Sequence, residues 1–228
     1  KECVLLCLLH LSERESDANT ALATIVALMN QLESGRLSKD HKSFLAAEVL
    51  SCLDEMGLSR KAVGLPILKQ LVDVFSKAGN YTKAASAGAK LVDVSLDLFG
   101  DASLETVAPI ELLARVYKAM ERFDLAEECY RQILEVQYKV YPSEHEHMID
   151  VLLSLAEVCL IQHDQGESEI FMESAQEMCV NLFEDVAINS EDGQNNYMQE
   201  DDTDRKQKAE RIHERIDGLK AQMASAAS

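Results

Sequence analysis

Tryptophan is absent from the 228 residues, prolines number only three and glycines nine. So little turn chemistry excludes an all-β fold, which needs glycine and proline between its many short strands. The longest nearly unbroken apolar run, Cys3 to Leu9, spans seven residues, whereas a membrane-crossing helix needs roughly 20. No membrane partner is therefore expected. The six cysteines, Cys3, Cys7, Cys52, Cys129, Cys159 and Cys179, include no Cys-x-x-Cys pair and read as reduced thiols packed on helix faces. That usage fits a reducing compartment and sets the expected location as cytoplasmic. No glycine-rich phosphate loop, dinucleotide fingerprint or Gly-x-Ser-x-Gly elbow occurs. The sequence therefore predicts no catalytic residue, no cofactor and no metal, and so no enzyme.

Positive charge is also scarce. Lys and Arg number 22 against 40 Asp and Glu, a formal charge of −18. It divides into −13 over residues 1–183, −8 over 184–204 and +3 over 205–228. Affinity for nucleic acid comes largely from neutralising phosphates with Lys and Arg, so an acidic surface of this kind argues against a nucleic-acid partner. A protein or peptide partner carrying a basic segment suits it better.

What the chain does contain is repetition. Leu71-Val72-Asp73-Val74-Phe75, Leu113-Ala114-Arg115-Val116-Tyr117 and Leu155-Ala156-Glu157-Val158-Cys159 recur at a fixed 42-residue offset. A second apolar helical pattern succeeds each block, from Tyr81 to Phe99, Phe123 to Tyr141 and Gln165 to Phe183. A period of this size with two helices per unit belongs to an all-α helical-hairpin solenoid, whose faces are buried only by stacking on neighbours. The small residues Ala84, Ala126 and Ser168 coincide at the offset, as do Val72, Ala114 and Ala156. They let backbones approach while the larger Leu71, Leu113 and Leu155 fill the space beside them.

Outside the repeats the patterns differ. Residues 1–64 read as atypical helices, either irregular repeats or the remnant of a preceding domain, and the non-Met start at Lys1 is compatible with a cut from something longer. Residues 65–183 hold the three repeats, and 184–204 form an acidic linker with little to bury. Residues 205–228 form an amphipathic helix whose narrow stripe of Ala209, Ile212, Ile216, Leu219 and Met223 suits a capping helix or a coiled-coil seam, hence self-association. His145-Glu146-His147, with Glu144, invites comparison with a metal site. Two His residues two apart on a helix point apart, however, and a solvated loop-to-helix junction accounts for them better.

At Leu113-Ala114-x-x-Tyr117, followed by Phe123-x-x-Ala126-x-x-x-Tyr130, the chain resembles the tetratricopeptide repeat. The 42-residue period, closed by Lys139-Val140-Tyr141-Pro142-x-x-His145, is similar to the longer variety found in kinesin light chain. HEAT-type repeats share the period but do not require the pairing of Ala126 with Tyr130. The resemblance implies a right-handed superhelix whose first helices line a concave groove for extended peptides. The groove positions it implies are Lys69, Asp73, Ser76 and Lys77, then Glu111, Arg115 and Lys118, then Leu153, Glu157 and Leu160. Where the kinesin light chain pattern has an Asn before the Leu-Ala pair, this chain has Gln70, Leu112 and Ser154.

Two functions are carried forward. One is a non-catalytic scaffold or adaptor that binds a protein or peptide through the groove, with a cytoskeletal association as the resemblance implies. The alternative is the carboxy-terminal helical domain of a larger enzyme, such as a SET and MYND lysine methyltransferase.

Overall fold

Three backbone turns carry the repeat into three dimensions. In the first, the amide of Asn80 donates to the carbonyl of Phe75 at 2.9 Å and that of Gly79 to Ser76 at 3.0 Å. The same pair of bonds recurs from Arg122 to Tyr117 and Glu121 to Lys118, at 2.9 and 3.0 Å. It recurs again from Asp164 to Cys159 and His163 to Leu160, at 2.9 and 3.1 Å. This is the Schellman closure of a helix, in which one residue takes the left-handed conformation so that its amide and the next can reach back to otherwise unpaired carbonyls. The left-handed residues are Gly79, Glu121 and His163, at φ 80°, 58° and 65°.

The computed structural model describes residues 18–33, 37–184 and 199–226. The apolar run Cys3 to Leu9, with Cys3 and Cys7, lies outside the described residues, as does the linker sequence over 185–198. Among the described residues all regular structure is helical: α1 Ala18–Glu33, α2 Lys39–Glu55, α3 Gly64–Ala78, α4 Tyr81–Phe99, α5 Val107–Ala119, α6 Phe123–Val140, α7 Glu146–Ile161, α8 Gln165–Cys179 and α9 Gln199–Ala226. Short 3₁₀ turns occupy Leu58–Arg60 and Leu104–Thr106, and α8 ends in a π-helical turn, Val180–Glu184. Pro66 and Pro109 are each the third residue of their helices, α3 and α5. At that position the missing N–H has no intrahelical acceptor to lose. The all-α solenoid predicted from the period is thus present, with the final helix beginning at Gln199, six residues before the predicted boundary at 205. Its first turns take in acidic residues that composition had assigned to the linker.

Helix starts are set by short polar side chains. Ser38 caps α2 by accepting from the amide of His41, Asn80 caps α4 by accepting from Lys83, and Asp164 caps α8 by accepting from Glu167. Each satisfies one of the unpaired amides of a first turn. The Asn80 amide group also donates to Ser43 Oγ at 3.2 Å, which ties the start of α4 to α2.

The chain forms two compact units, Lys1–Arg122 and Phe123–Ser228. In the first, successive helices from α1 to α5 pack each on the next around a core containing Ile25, Leu28, Leu45, Leu53, Leu68, Leu71 and Phe75, all essentially without solvent exposure. In the second, α6, α7 and α8 pack in sequence and α9 lies against α7, α8 and the π turn. The aligned small residues Ala84, Ala126 and Ser168, and likewise Val72, Ala114 and Ala156, are fully buried, so the spacing encodes packing in both units. Ser168 keeps its polarity at no cost because its hydroxyl donates to the carbonyl of Ala156, 2.8 Å away.

Candidate functional site

In the first unit the groove positions lie on α3 and α5. Lys69, Lys77, Glu111 and Arg115 are exposed, whereas Asp73, Ser76 and Lys118 are half-buried. Two concavities open beside them. One, of about 520 Å³, has Met29 and Leu32 of α1, Lys39 and Lys42 of α2, and Gln70, Asp73, Val74 and Lys77 of α3 in its wall. It combines an apolar floor with three ammonium groups at its rim. The other, of about 230 Å³, is lined by Leu65, Pro66 and Lys69 of α3, Leu91 and Phe99 of α4, and Pro109 and Leu112 of α5. Glu105 stands at its edge, its carboxyl held below the usual range first by the hydroxyl of Ser103 and then by its own backbone amide. Such small apolar hollows flanked by charge can seat side chains of an extended chain. Ser76 is different, because its Oγ is buried without a hydrogen-bond partner among the described residues.

In the second unit the groove positions on α7 diverge. Glu157 is half-buried, but Leu153 and Leu160 are 0% and 8% exposed and belong to the core shared with α9. The expectation that these two leucines face an open groove is therefore corrected. The sequence pattern placed them on the face that α9 covers, and burial results from the apolar stripe of that helix. Ala209, Ile216 and Leu219 of α9 join Met148, Leu152, Leu153, Leu160, Met172 and Met178 in one cluster. Charge frames the contact. Lys208 Nζ is 2.8 Å from Glu146, Arg215 donates to Asp150 at 3.4 Å and to Ser154 Oγ at 3.2 Å, and Lys220 donates to Gln176 at 3.2 Å. The hydrogen bond from Lys208 lowers the Glu146 carboxyl, and Glu146 in turn raises the Lys208 ammonium.

A third grouping was not legible in the sequence. Glu127 of α6, Cys159 of α7 and Glu167 of α8 bring a ligating atom each within 4.8 Å of one another. Arg131 pairs with both carboxylates of this set. Its Nε is 3.0 Å from Glu127, it pairs also with Glu167, and its guanidinium lies 5.7 Å from the centroid of Phe171. Partial burial works against its charge, yet the two carboxylates raise it overall. Gln162 donates to the other oxygen of Glu127 at 3.0 Å. Burial, with Glu127 and Glu167 adding to it, pushes the Cys159 thiol up to about 11. A protonated thiol and two carboxylates already engaged by arginine form a clasp across three helices.

His145 and His147 also resolve into local structure. His145 is the N-cap of α7, its Nδ1 accepting from the amide of His147 at 3.3 Å, and its ring stacks on Tyr141 with centroids 4.0 Å apart. Glu144 accepts instead from Asn181 at 3.1 Å. Cys52, Cys129, Cys159 and Cys179 are buried and form no disulfide among the described residues. No helix of the described residues is long and apolar enough to cross a membrane.

The tetratricopeptide repeat family model matches residues 65–139 and 106–179, together just over half of the chain. The protein belongs to the tetratricopeptide repeat family, a class of helical-repeat proteins that serve as interaction scaffolds. Its fold is similar to that of BtubC (BKLC) from P. vanneervenii, a structure 14% identical, with a TM-score of 0.50 over 84% of this chain and 82% of that one. Nearly identical TPR-like repeats from a Podosopora anserina protein described as a putative kinesin light chain give a TM-score of 0.49 at 15% identity, over 91% of this chain and 96% of theirs. No curated protein matches the sequence.

Proposed function

We propose that this chain is a non-catalytic adaptor that binds an extended peptide of a partner protein along the first helices of its repeats. The observation that carries the reading is in the first unit. There α3 and α5 present Lys69, Asp73, Lys77, Glu111 and Arg115 to solvent or to the cleft walls, and two apolar-floored hollows adjoin the same helices. Alternating charge with apolar hollows suits a ligand held by its side chains. Gln70 and Ser154, with Leu112 between them in the series, stand where the related pattern has a backbone-binding Asn, so side-chain contacts would dominate. A cytoplasmic setting fits the four buried reduced thiols.

Selection of binders from a random peptide display library tests it. Selected peptides should lose at least tenfold in affinity for the Asp73→Lys/Arg115→Glu variant and keep it for Lys139→Glu, a substitution in the exposed Lys139–Glu135 pair of α6. Peptides indifferent to the first variant would remove the groove from the reading.

A further inference from the structure

Helix α9 is held differently from the helices it covers. Of its described side chains only Ala209, Ile216 and Leu219 are buried, against ten in the 16 residues of α7. Gly218 sits beside that stripe with nothing within 4 Å of where a Cβ would stand. A glycine inside a helix weakens it, and here no close approach requires one. The ion pairs that flank the stripe are solvent-accessible: Lys208 and Glu146 are 41% and 39% exposed, and Asp150, opposite Arg215, is 72% exposed. Exposed pairs of this kind contribute little and weaken with salt.

The covered face has its own chemistry. Met148, Met172 and Met178 floor it, and unbranched thioethers repack around different partners more readily than branched side chains do. Glu146 and Asp150, one turn apart on α7, give its rim negative charge. Lys208 meets the first and Arg215 the second, so α9 runs in the same direction as α7, with basic residues at i and i+7 along one edge of the apolar stripe. That is the pattern of an amphipathic helix laid into a groove.

We propose that this face of the second unit is a helix-binding site and that α9 is its displaceable intramolecular occupant. The partner it fits is an amphipathic helix with Lys or Arg along one edge of an apolar i, i+7, i+10 stripe. The proposal rests on the reading of the chain as an interaction scaffold. It adds a second mode of binding, helix in groove, on a surface that the family pattern alone would assign to an extended peptide.

The probe is a fluorescein-labelled synthetic peptide of residues 203–226, titrated against the full-length chain. In the Lys208→Glu/Arg215→Glu chain the tethered helix is repelled by Glu146 and Asp150. The labelled peptide should bind that chain at least tenfold more tightly than the wild type, and a peptide carrying the same two reversals should bind neither. Gly218→Ala strengthens the tethered helix and should weaken binding of the labelled peptide about fivefold, the equivalent of the helix-propensity difference between Gly and Ala. Equal affinity for all three chains overturns the proposal and makes α9 a permanent cap. Should circular dichroism show the double variant unfolded, hydrogen exchange of the wild-type chain decides. Exchange in α9 at least tenfold faster than in α7 supports displacement, and exchange at one common rate overturns it. Display-selected peptides that bind through Asp73 and Arg115 would be unaffected by any of these changes, so a failure here leaves the scaffold reading intact.

Discussion

Glu121 and His163, 42 residues apart, hold the same left-handed backbone conformation, at φ 58° and 65°. Both occupy the place of Gly79, one and two repeats earlier. For a residue with a Cβ that conformation costs about 1–2 kcal/mol, and only glycine adopts it freely. Glu121→Gly and His163→Gly are each expected to raise stability by about 0.5–1 kcal/mol, the released strain less the extra freedom of glycine in the unfolded chain. Gly79→Ala should lower it by about 1 kcal/mol. Urea midpoints of the three variants check the sign in each repeat.

Gly88 occupies the position that Tyr130 and Met172 hold in the next two repeats. A Cβ built there would lie 3.0 Å from Leu113 Cδ1 and 3.8 Å from Val72. The end of a leucine side chain can turn aside, and alanine favours the helix by about 1 kcal/mol, so Gly88→Ala should change stability by less than about 1 kcal/mol. Gly88→Tyr, which copies the second repeat, forces a ring between α4 and α5 and should cost about 3 kcal/mol or abolish folding. Thermal unfolding of both variants separates the cases.

The Glu146–Lys208 pair makes the seat of α9 sensitive to pH at both extremes. The folded-state pKa of Glu146 is lowered, chiefly by the hydrogen bond from Lys208. Its contribution is complete above the unfolded value of about 4.3 and is lost as pH falls through the lower folded value. Lys208 is raised, chiefly by its hydrogen bond to Glu146, so its contribution is complete below about 10.4 and is lost as pH climbs through the higher folded value. Glu146→Gln should therefore show a smaller fall in urea midpoint between pH 5 and pH 3 than the wild type. An identical acid limb would remove this pair from the account.

Thiol chemistry gives an independent check. Burial, with the Glu128 charge behind it, pushes Cys129 up to about 11, and Cys159 reaches a similar value. At pH 8 a thiol with that pKa has roughly 10²-fold less thiolate than one at the ordinary 8.5. Iodoacetamide mass-mapping of the folded chain at pH 8 should show these two alkylated at least 100-fold more slowly than after unfolding in guanidinium.

Period and composition made the architecture readable because a solenoid writes its packing into regularly spaced small and large residues. Ala84, Ala126 and Ser168 were picked out by spacing alone and are all buried. The charged groove positions could be named only through resemblance, since surface side chains obey no packing periodicity. Leu153 and Leu160 were misplaced for a related reason: whether a leucine at a groove register stays open depends on which later segment lies over it, and α9 begins 39 residues after Leu160. The clasp of Arg131 with Glu127 and Glu167 escaped notice because, although Arg131 and Glu127 share α6, Glu167 comes from α8 and Cys159 from α7. Glu121 and His163 did leave a signal, the 42-residue offset from Gly79, but their side chains gave no hint of a left-handed turn.

The π-helical turn Val180–Glu184 carries one residue more per hydrogen-bonded loop than the helix before it. Its Leu182 and Phe183 pack against the cluster shared with α9. A single surplus residue thus acts as a punctuation mark at the close of a metrical run, and α9 lies against the third repeat.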